Sequence, residues 1–328
     1  MFARPKTFFR NSHSERSRLG CAPLLSAPRF RPQFVIRFDK PSRRCQNSLP
    51  ELGRATLRPW IAIFAVVLLA GLAFFLRTKL PARTPEYCSH TAYGHGVTCI
   101  GGAGNGGTNV NISSKTVPYS PAAGHAVIVS AYTCADKDCQ EIPVTTLTIG
   151  DNVRNPEPCF EPSPHSPFAL NETSAGTQKL QEYIWVCPNI PPGVTSFTAT
   201  CSAEHACTYI TLTATEWTGL ATSDVFDADG GAASSVQQNT ATISTSSPTR
   251  YTNDLIYTFM DNTGDETMTP APPYRTVLQF FRGNINTGAV IENTGVQTTT
   301  ATWKGNDDWY GAMAAIRTAA SQPAQPHP

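Results

Sequence analysis

A single uncharged run, Trp60 to Leu76 (WIAIFAVVLLAGLAFFL), divides this chain and decides which solvent each part meets. It contains no proline, and basic residues flank it at Arg54, Arg58, Arg77 and Lys79. As a helix its residues span about 26 Å, which crosses a hydrocarbon core with little tilt. A cleaved signal peptide is the competing reading of an apolar run behind two arginines. The exit argues against it: Arg77, Thr78 and Lys79 follow directly, with no A-x-A pattern and no cysteine where a lipoprotein signal needs one. The sequence therefore predicts an uncleaved single transmembrane helix over 60–76 that contacts membrane lipid.

Charge sets the orientation. Before residue 60 there are 13 Lys or Arg against three acids; from Arg77 onward there are 12 against 21. Basic residues accumulate on the cytoplasmic side of a span, so the amino terminus is expected in the cytoplasm and the rest outside the cell membrane. Residues 1–59, rich in Arg, Ser and Pro without a sustained period, read as a disordered basic cytoplasmic tail whose arginines face anionic headgroups. The acidic remainder lacks the clustered basic surface that releases counterions from phosphate, so no nucleic-acid partner is expected for it.

Cysteine usage agrees with an oxidising compartment. Cys21 and Cys45 lie in the tail; eight others, Cys88, Cys99, Cys134, Cys139, Cys159, Cys187, Cys201 and Cys207, follow the span. An even count outside the membrane predicts up to four disulfides. Nearness in sequence predicts Cys134 with Cys139 and Cys201 with Cys207, leaving Cys88 with Cys99 and Cys159 with Cys187. Cys88, His90, His95 and Cys99 also carry the donors of a zinc site, but their spacing fits no common zinc module and oxidation is the expected fate.

Residues 77–108 begin with proline and charge and end in GGAGNGG (Gly101 to Gly107), which reads as a flexible linker. From 109 to 318 short β-favouring runs recur between Gly, Pro, Asn and Asp, and no amphipathic helix of normal length appears. The runs are 125–133, 144–150, 181–187, 194–200, 207–217, 236–245, 254–260, 276–282, 288–293, 296–303 and 308–317. Eleven strands predict an all-β, antiparallel two-sheet sandwich, jelly-roll or immunoglobulin-like. The Pro-rich stretch from Asn155 to Pro167 reads as a long loop tied down by Cys159, and 319–328 as a disordered tail.

Part of this region resembles a β-sandwich domain recurrent in exported proteins of soil bacteria, acidobacteria-like ones among them. The matching residues are Glu216, Trp217 and Gly219 at a strand's end, Phe226, Asp227 and Ala228 in a turn, Asn253, Asp254 and Leu255 opening a strand, and Trp309 on the last one. The resemblance covers roughly 115–318 and implies the fold and export, but no activity. Its many cysteines and the insert around 155–178 depart from that pattern.

Few residues point to chemistry. Alternation along 207–217 puts Glu216 on the apolar face with Ile210, Leu212 and Ala214. A buried carboxylate there is a candidate general acid, or a strand-end group bonding turn amides or Arg275. Asp224, Asp227 and Asp229 precede two glycines and offer oxygens to calcium, the one cofactor the sequence has a place for, although Asp and Gly also make ordinary turns and the spacing is not an EF-hand. Asp136 and Asp138 are a weaker version of the same idea. Trp185, Trp217, Trp303 and Trp309 lie on expected strands, either as core or as platforms for sugar rings. No G-x-S-x-G, HExxH, Walker or haem-attachment pattern occurs. The reading that fits is a membrane-anchored binding or interaction module with a glycan as ligand class. A structural or assembly component of the cell envelope, meeting an envelope protein, is the alternative, and an extracytoplasmic hydrolase the second.

Overall fold

The computed structural model describes residues 86–106, 112–134, 147–154, 158–162, 168–170, 180–201, 207, 209–264, 266–280 and 283–324. The expected cytoplasmic tail and membrane span lie outside these residues. No helix occurs among the described residues, so none there is long and apolar enough to cross a membrane.

The strands in chain order are β1 (Glu86–Tyr87), β2 (Thr91–Gly94), β3 (Val97–Asn105), β4 (Ser114–Pro118), β5 (Ala126–Cys134) and β6 (Leu147–Asp151). Then come β7 (Phe168–Leu170), β8 (Leu180–Cys187), β9 (Ser196–Cys201), β10 (Tyr209–Thr218), β11 (Phe226–Ser244) and β12 (Tyr251–Thr252). The last are β13 (Asp254–Asn262), β14 (Thr269–Pro270), β15 (Arg275–Gln279), β16 (Asn284–Ile291), β17 (Thr298–Ile316) and β18 (Gln322–Pro323). Every pairing among them is antiparallel. The described part is thus all-β, as expected.

Four sheets form. A central sheet runs β2-β3-β10-β5-β8-β7, a large sheet β1-β15-β16-β13-β17-β11 with β14 also on β17, a small outer sheet β4-β9-β6, and β12 pairs β18 alone. The central sheet is covered on both faces. Ile128, Ile184, Val186 and Trp217 meet Leu255, Tyr257, Ala312 and Ile316 of the large sheet, while Val129, Trp185, Ile210 and Leu212 meet Ile149, Phe197 and Ala199 of the outer one. Two large sheets face each other as in a sandwich, with a third layer outside one of them.

The large sheet is also covered on its far side, by its own strands. β11 and β17 stay paired from Phe226 opposite Ile316 to Ser244 opposite Thr298, with register shifts between Ser234 and Thr240. Such irregularities bend a ribbon, and here Ala241, Ile243, Ala301 and Trp303 fold back onto Ile256, Met260, Met313 and Ala315. Two glycines permit the closeness: a Cβ at Gly230 would lie 2.1 Å from the Ser244 carbonyl oxygen, and one at Gly311 would lie 2.4 Å from Ile243 Cδ1. The two strands expected at 296–303 and 308–317 are therefore one bent strand.

Two expected boundaries are corrected. Within the expected linker, Val97–Asn105 forms β3, paired with β10 from Thr98 opposite Thr218 to Asn105 opposite Leu212. Its glycines are there for contact, since a Cβ at Gly104 would meet the Phe280 ring at 2.5 Å and one at Gly102 the Ala214 carbonyl at 2.9 Å. At the other end, β18 pairs β12, so order continues past 318 to Ala324.

Three expected disulfides are present, Cys88–Cys99, Cys159–Cys187 and Cys201–Cys207; Cys139, expected with Cys134, lies outside the described residues. Cys159–Cys187 does tie the Pro-rich segment down, next to a two-way backbone bridge between Phe160 and Val186.

Candidate functional site

Glu216 sits near the end of β10, on the face predicted for it, and is buried. β3 bulges at Ile100, opposite the step from Glu216 to Trp217 in β10. Across from Glu216 stands Gly101, whose missing side chain leaves room: a Cβ there would be 3.0 Å from the Tyr119 hydroxyl. That hydroxyl donates to Glu216 Oε2 at 2.8 Å. Oε1 accepts the Ala122 N–H at 2.9 Å and lies 2.6 Å from His125 Nδ1. One carboxylate thus binds three points of the loop between β4 and β5. Arg275, the cation considered for this role, instead donates to the Ala92 carbonyl and lies over Tyr93.

The electrostatics follow from burial. Desolvation first, and then the Glu216 carboxylate, push the Tyr119 phenol upward, so it remains a donor. An N–H at His125 Nδ1 donates to the Glu216 carboxylate and fixes the ring's orientation. His125, Asn189, Trp217, Thr218, Leu220 and Thr222 line a pocket of about 90 Å³. A histidine oriented by a carboxylate beside a pocket has the arrangement that acid–base chemistry can use. No serine or cysteine is bonded to His125 among the described residues.

The aspartates expected to gather for calcium are separately engaged. Asp227 accepts from Arg250 Nε at 2.8 Å and from the backbone N–H groups of Arg250 and Tyr251. Asp229 is buried, with the Ser246 hydroxyl donating to its carbonyl at 2.6 Å. Asp224 is exposed in a left-handed turn, 4.0 Å from Arg317. No group of three metal-ligating side chains gathers among the described residues, and Asp136 and Asp138 lie outside them. Cys88 and Cys99 are joined in the disulfide expected for them and so are not free to bind zinc.

The four tryptophans are core residues rather than sugar platforms. Trp185 stacks on Tyr183 at 4.9 Å and donates to Glu161; Trp217 packs on Tyr93 and Tyr257 and donates to Thr215. Trp303, on the folded-back arm, and Trp309 are buried in the core that the arm closes over the large sheet. Two-sided coverage of both sheets removes the open face that a stacking platform needs.

An open polar surface lies elsewhere. On the solvent side of the small outer sheet a shallow trough of about 280 Å³ is lined by Thr148, Gly150, Asp151, Asn152, Ser196, Thr198 and Thr200. Thr198 and Thr116 share a hydroxyl hydrogen bond at 2.8 Å. Asp151 is taken up by the Arg154 side chain and by the backbone N–H groups of Val153 and Arg154, and Asn152 by Thr195, Ser196 and Gly193. The side chains of these two residues are engaged within the protein, and Thr148, Ser196, Thr198 and Thr200 line the rest of the trough.

Compared with known proteins, the chain matches no family model, no curated protein and no solved structure.

Tyr119 and His125 escaped sequence reasoning. They lie 97 and 91 residues before Glu216, and only the pairing of β10 with β3 and β5 brings them to it.

Proposed function

We propose that this protein is a membrane-anchored, extracytoplasmic binding module that takes a polyhydroxylated ligand, a glycan, on its small outer sheet. The observation that carries this reading is the trough bordered by the hydroxyls of Thr148, Ser196, Thr198 and Thr200. Hydroxyls can donate and accept, so an array of them on a stiff sheet matches ligand hydroxyls of either sense without a charge. The sheet is stiff because its other face packs through Val117, Ile149, Phe197 and Ala199 onto the central sheet. Disulfides, the uncharged run at 60–76 and the charge asymmetry support a place outside the membrane. The resemblance to β-sandwich domains of exported soil-bacterial proteins supports the same location.

Affinity electrophoresis of the full chain in detergent micelles, through gels holding different polysaccharides, tests the reading. Retardation on at least one polymer is expected, lost in Thr198→Val/Thr200→Val and unchanged by chelator. No retardation on any polymer moves the account to an envelope assembly component. The His125–Glu216 pair beside its pocket favours a second reading, an extracytoplasmic hydrolase. Turnover of a glycoside or ester that disappears in His125→Ala would support it.

A further inference from the structure

The pocket beside His125 is built from two pinned walls. The Gly124 N–H donates to the Ile190 carbonyl and the Ile190 N–H to the His125 carbonyl, both at 2.8 Å, so Asn189 is held in fixed register with His125. On the other side the chain leaves β10 through Thr218 and Gly219, and the Ala319 N–H holds the Gly219 carbonyl at 2.8 Å. Gly124, Asn189 and Gly219 all take left-handed backbone, which glycine adopts freely and asparagine tolerates.

The lining carries the His125 ring, the Asn189 amide and the Thr218 and Thr222 hydroxyls, with Ala126 and Leu220 as its apolar part. The Asn189, Thr218 and Thr222 side chains bond no other group among the described residues, so they are free to meet a ligand. His125 is held in place by Glu216, 2.6 Å from its Nδ1. No lysine or arginine lines the space, and the buried Glu216 carboxylate already takes Tyr119, Ala122 and His125. The pocket therefore offers hydrogen bonds without an unopposed charge. An apolar cavity of about 150 Å³ holds benzene, so a volume of about 90 Å³ holds roughly four heavy atoms.

We propose that this pocket binds a small neutral amide of acetamide size, its methyl on Ala126 and Leu220 and its amide among His125, Asn189, Thr218 and Thr222. An amide donates and accepts, as the carboxamide and hydroxyls around it do. The fixed register of Asn189 with His125 means that little ordering is needed on binding. So few contacting atoms keep the affinity on the order of millimolar. The inference names a ligand class for the pocket on which the hydrolase reading rests, but it requires binding only and no turnover.

Saturation-transfer NMR of the full chain in detergent micelles tests the site, with acetamide as the probe and empty micelles as the blank. Transfer to the acetamide methyl is expected, with none to acetate, which is charged, or to benzamide, which is too large. Asn189→Gly removes the amide and keeps the left-handed backbone, while Thr218→Val keeps the strand; the double variant is expected to lose the transfer. Thr222→Phe, at an exposed position on the rim, fills the pocket and is expected to do the same. The trough variant Thr198→Val/Thr200→Val is expected to leave it unchanged. Transfer that persists in either pocket variant, equal transfer to acetate or benzamide, or none to acetamide from the folded wild type overturns the site. Transfer to acetamide without turnover of any ester or glycoside supports the site and removes the hydrolase reading alone.

Discussion

Replacing Glu216 tests whether its carboxylate is a clamp. Three donors end on it, the Tyr119 hydroxyl, the Ala122 amide and His125. A hydrogen bond to a charged acceptor contributes roughly 1.5–3 kcal/mol. Tyr119 and His125 are half-buried and Ala122 is exposed, so water reaches part of each donor once the carboxylate is gone. About 1 kcal/mol per bond is the reasonable net loss, and Glu216→Ala should cost about 3 kcal/mol. Glu216→Gln keeps an oxygen for Ala122 and His125 and turns an NH2 toward the Tyr119 oxygen, so its cost should be about 1 kcal/mol. The gap of about 2 kcal/mol is roughly a thirtyfold difference in the unfolding equilibrium constant. Urea titration followed by tryptophan fluorescence measures it, and the alanine variant should lower the midpoint by about 1 M or more. Equal costs for the two variants, or under 0.5 kcal/mol for alanine, would refute the clamp and leave Glu216 free for chemistry.

Further expectations concern the core. Glu182 is fully buried with neither carboxylate oxygen bonded; burial, and then the nearby Asp261 charge, push it well up, so the folded state keeps its proton. Stability should fall as pH rises above the ordinary glutamate range of about 4.3, and Glu182→Gln should remove that share of the slope in urea midpoints measured from pH 4 to 8. Gly104→Val drives a side chain into the Phe280 ring and should cost about 1–3 kcal/mol, read as a lowered Tm. Removing the Cys159–Cys187 bridge as a double alanine variant frees a loop with a sequence separation of 28, and should cost about 3.6 kcal/mol in the chain-entropy treatment, seen as a shift in the urea midpoint.

What the sequence disclosed, and what it hid, follows from range. Cys201 and Cys207 are so close in sequence that few other partners can reach them, and Cys88 with Cys99 is nearly as local. Alternation along β10 put Glu216 on its proper face because Ile210, Leu212 and Ala214 mark that face as apolar. The same alternation puts Thr211, Thr213 and Thr215 on the opposite face of β10. They are buried as well, since the large sheet covers them, and Thr213 and Thr215 reach backbone carbonyls of β5. A threonine whose hydroxyl is satisfied by the neighbouring strand looks the same in sequence as one in water. Glycine was misread for a related reason: Gly101, Gly102 and Gly104 suggest a spacer until Tyr119, Ala214 and Phe280 are seen pressing on them. The tryptophans sat on the expected strands, but no local pattern says that both faces of a sheet will be covered.

The central claim is that the threonine-lined trough holds a glycan, and a glycan array probed with the full chain in micelles tests it most directly. The account predicts discrete binding to hydroxyl-rich glycans that is lost in Thr198→Val/Thr200→Val and kept in His125→Ala. Binding that survives the threonine changes but disappears with His125, or no binding by a folded chain, would contradict it.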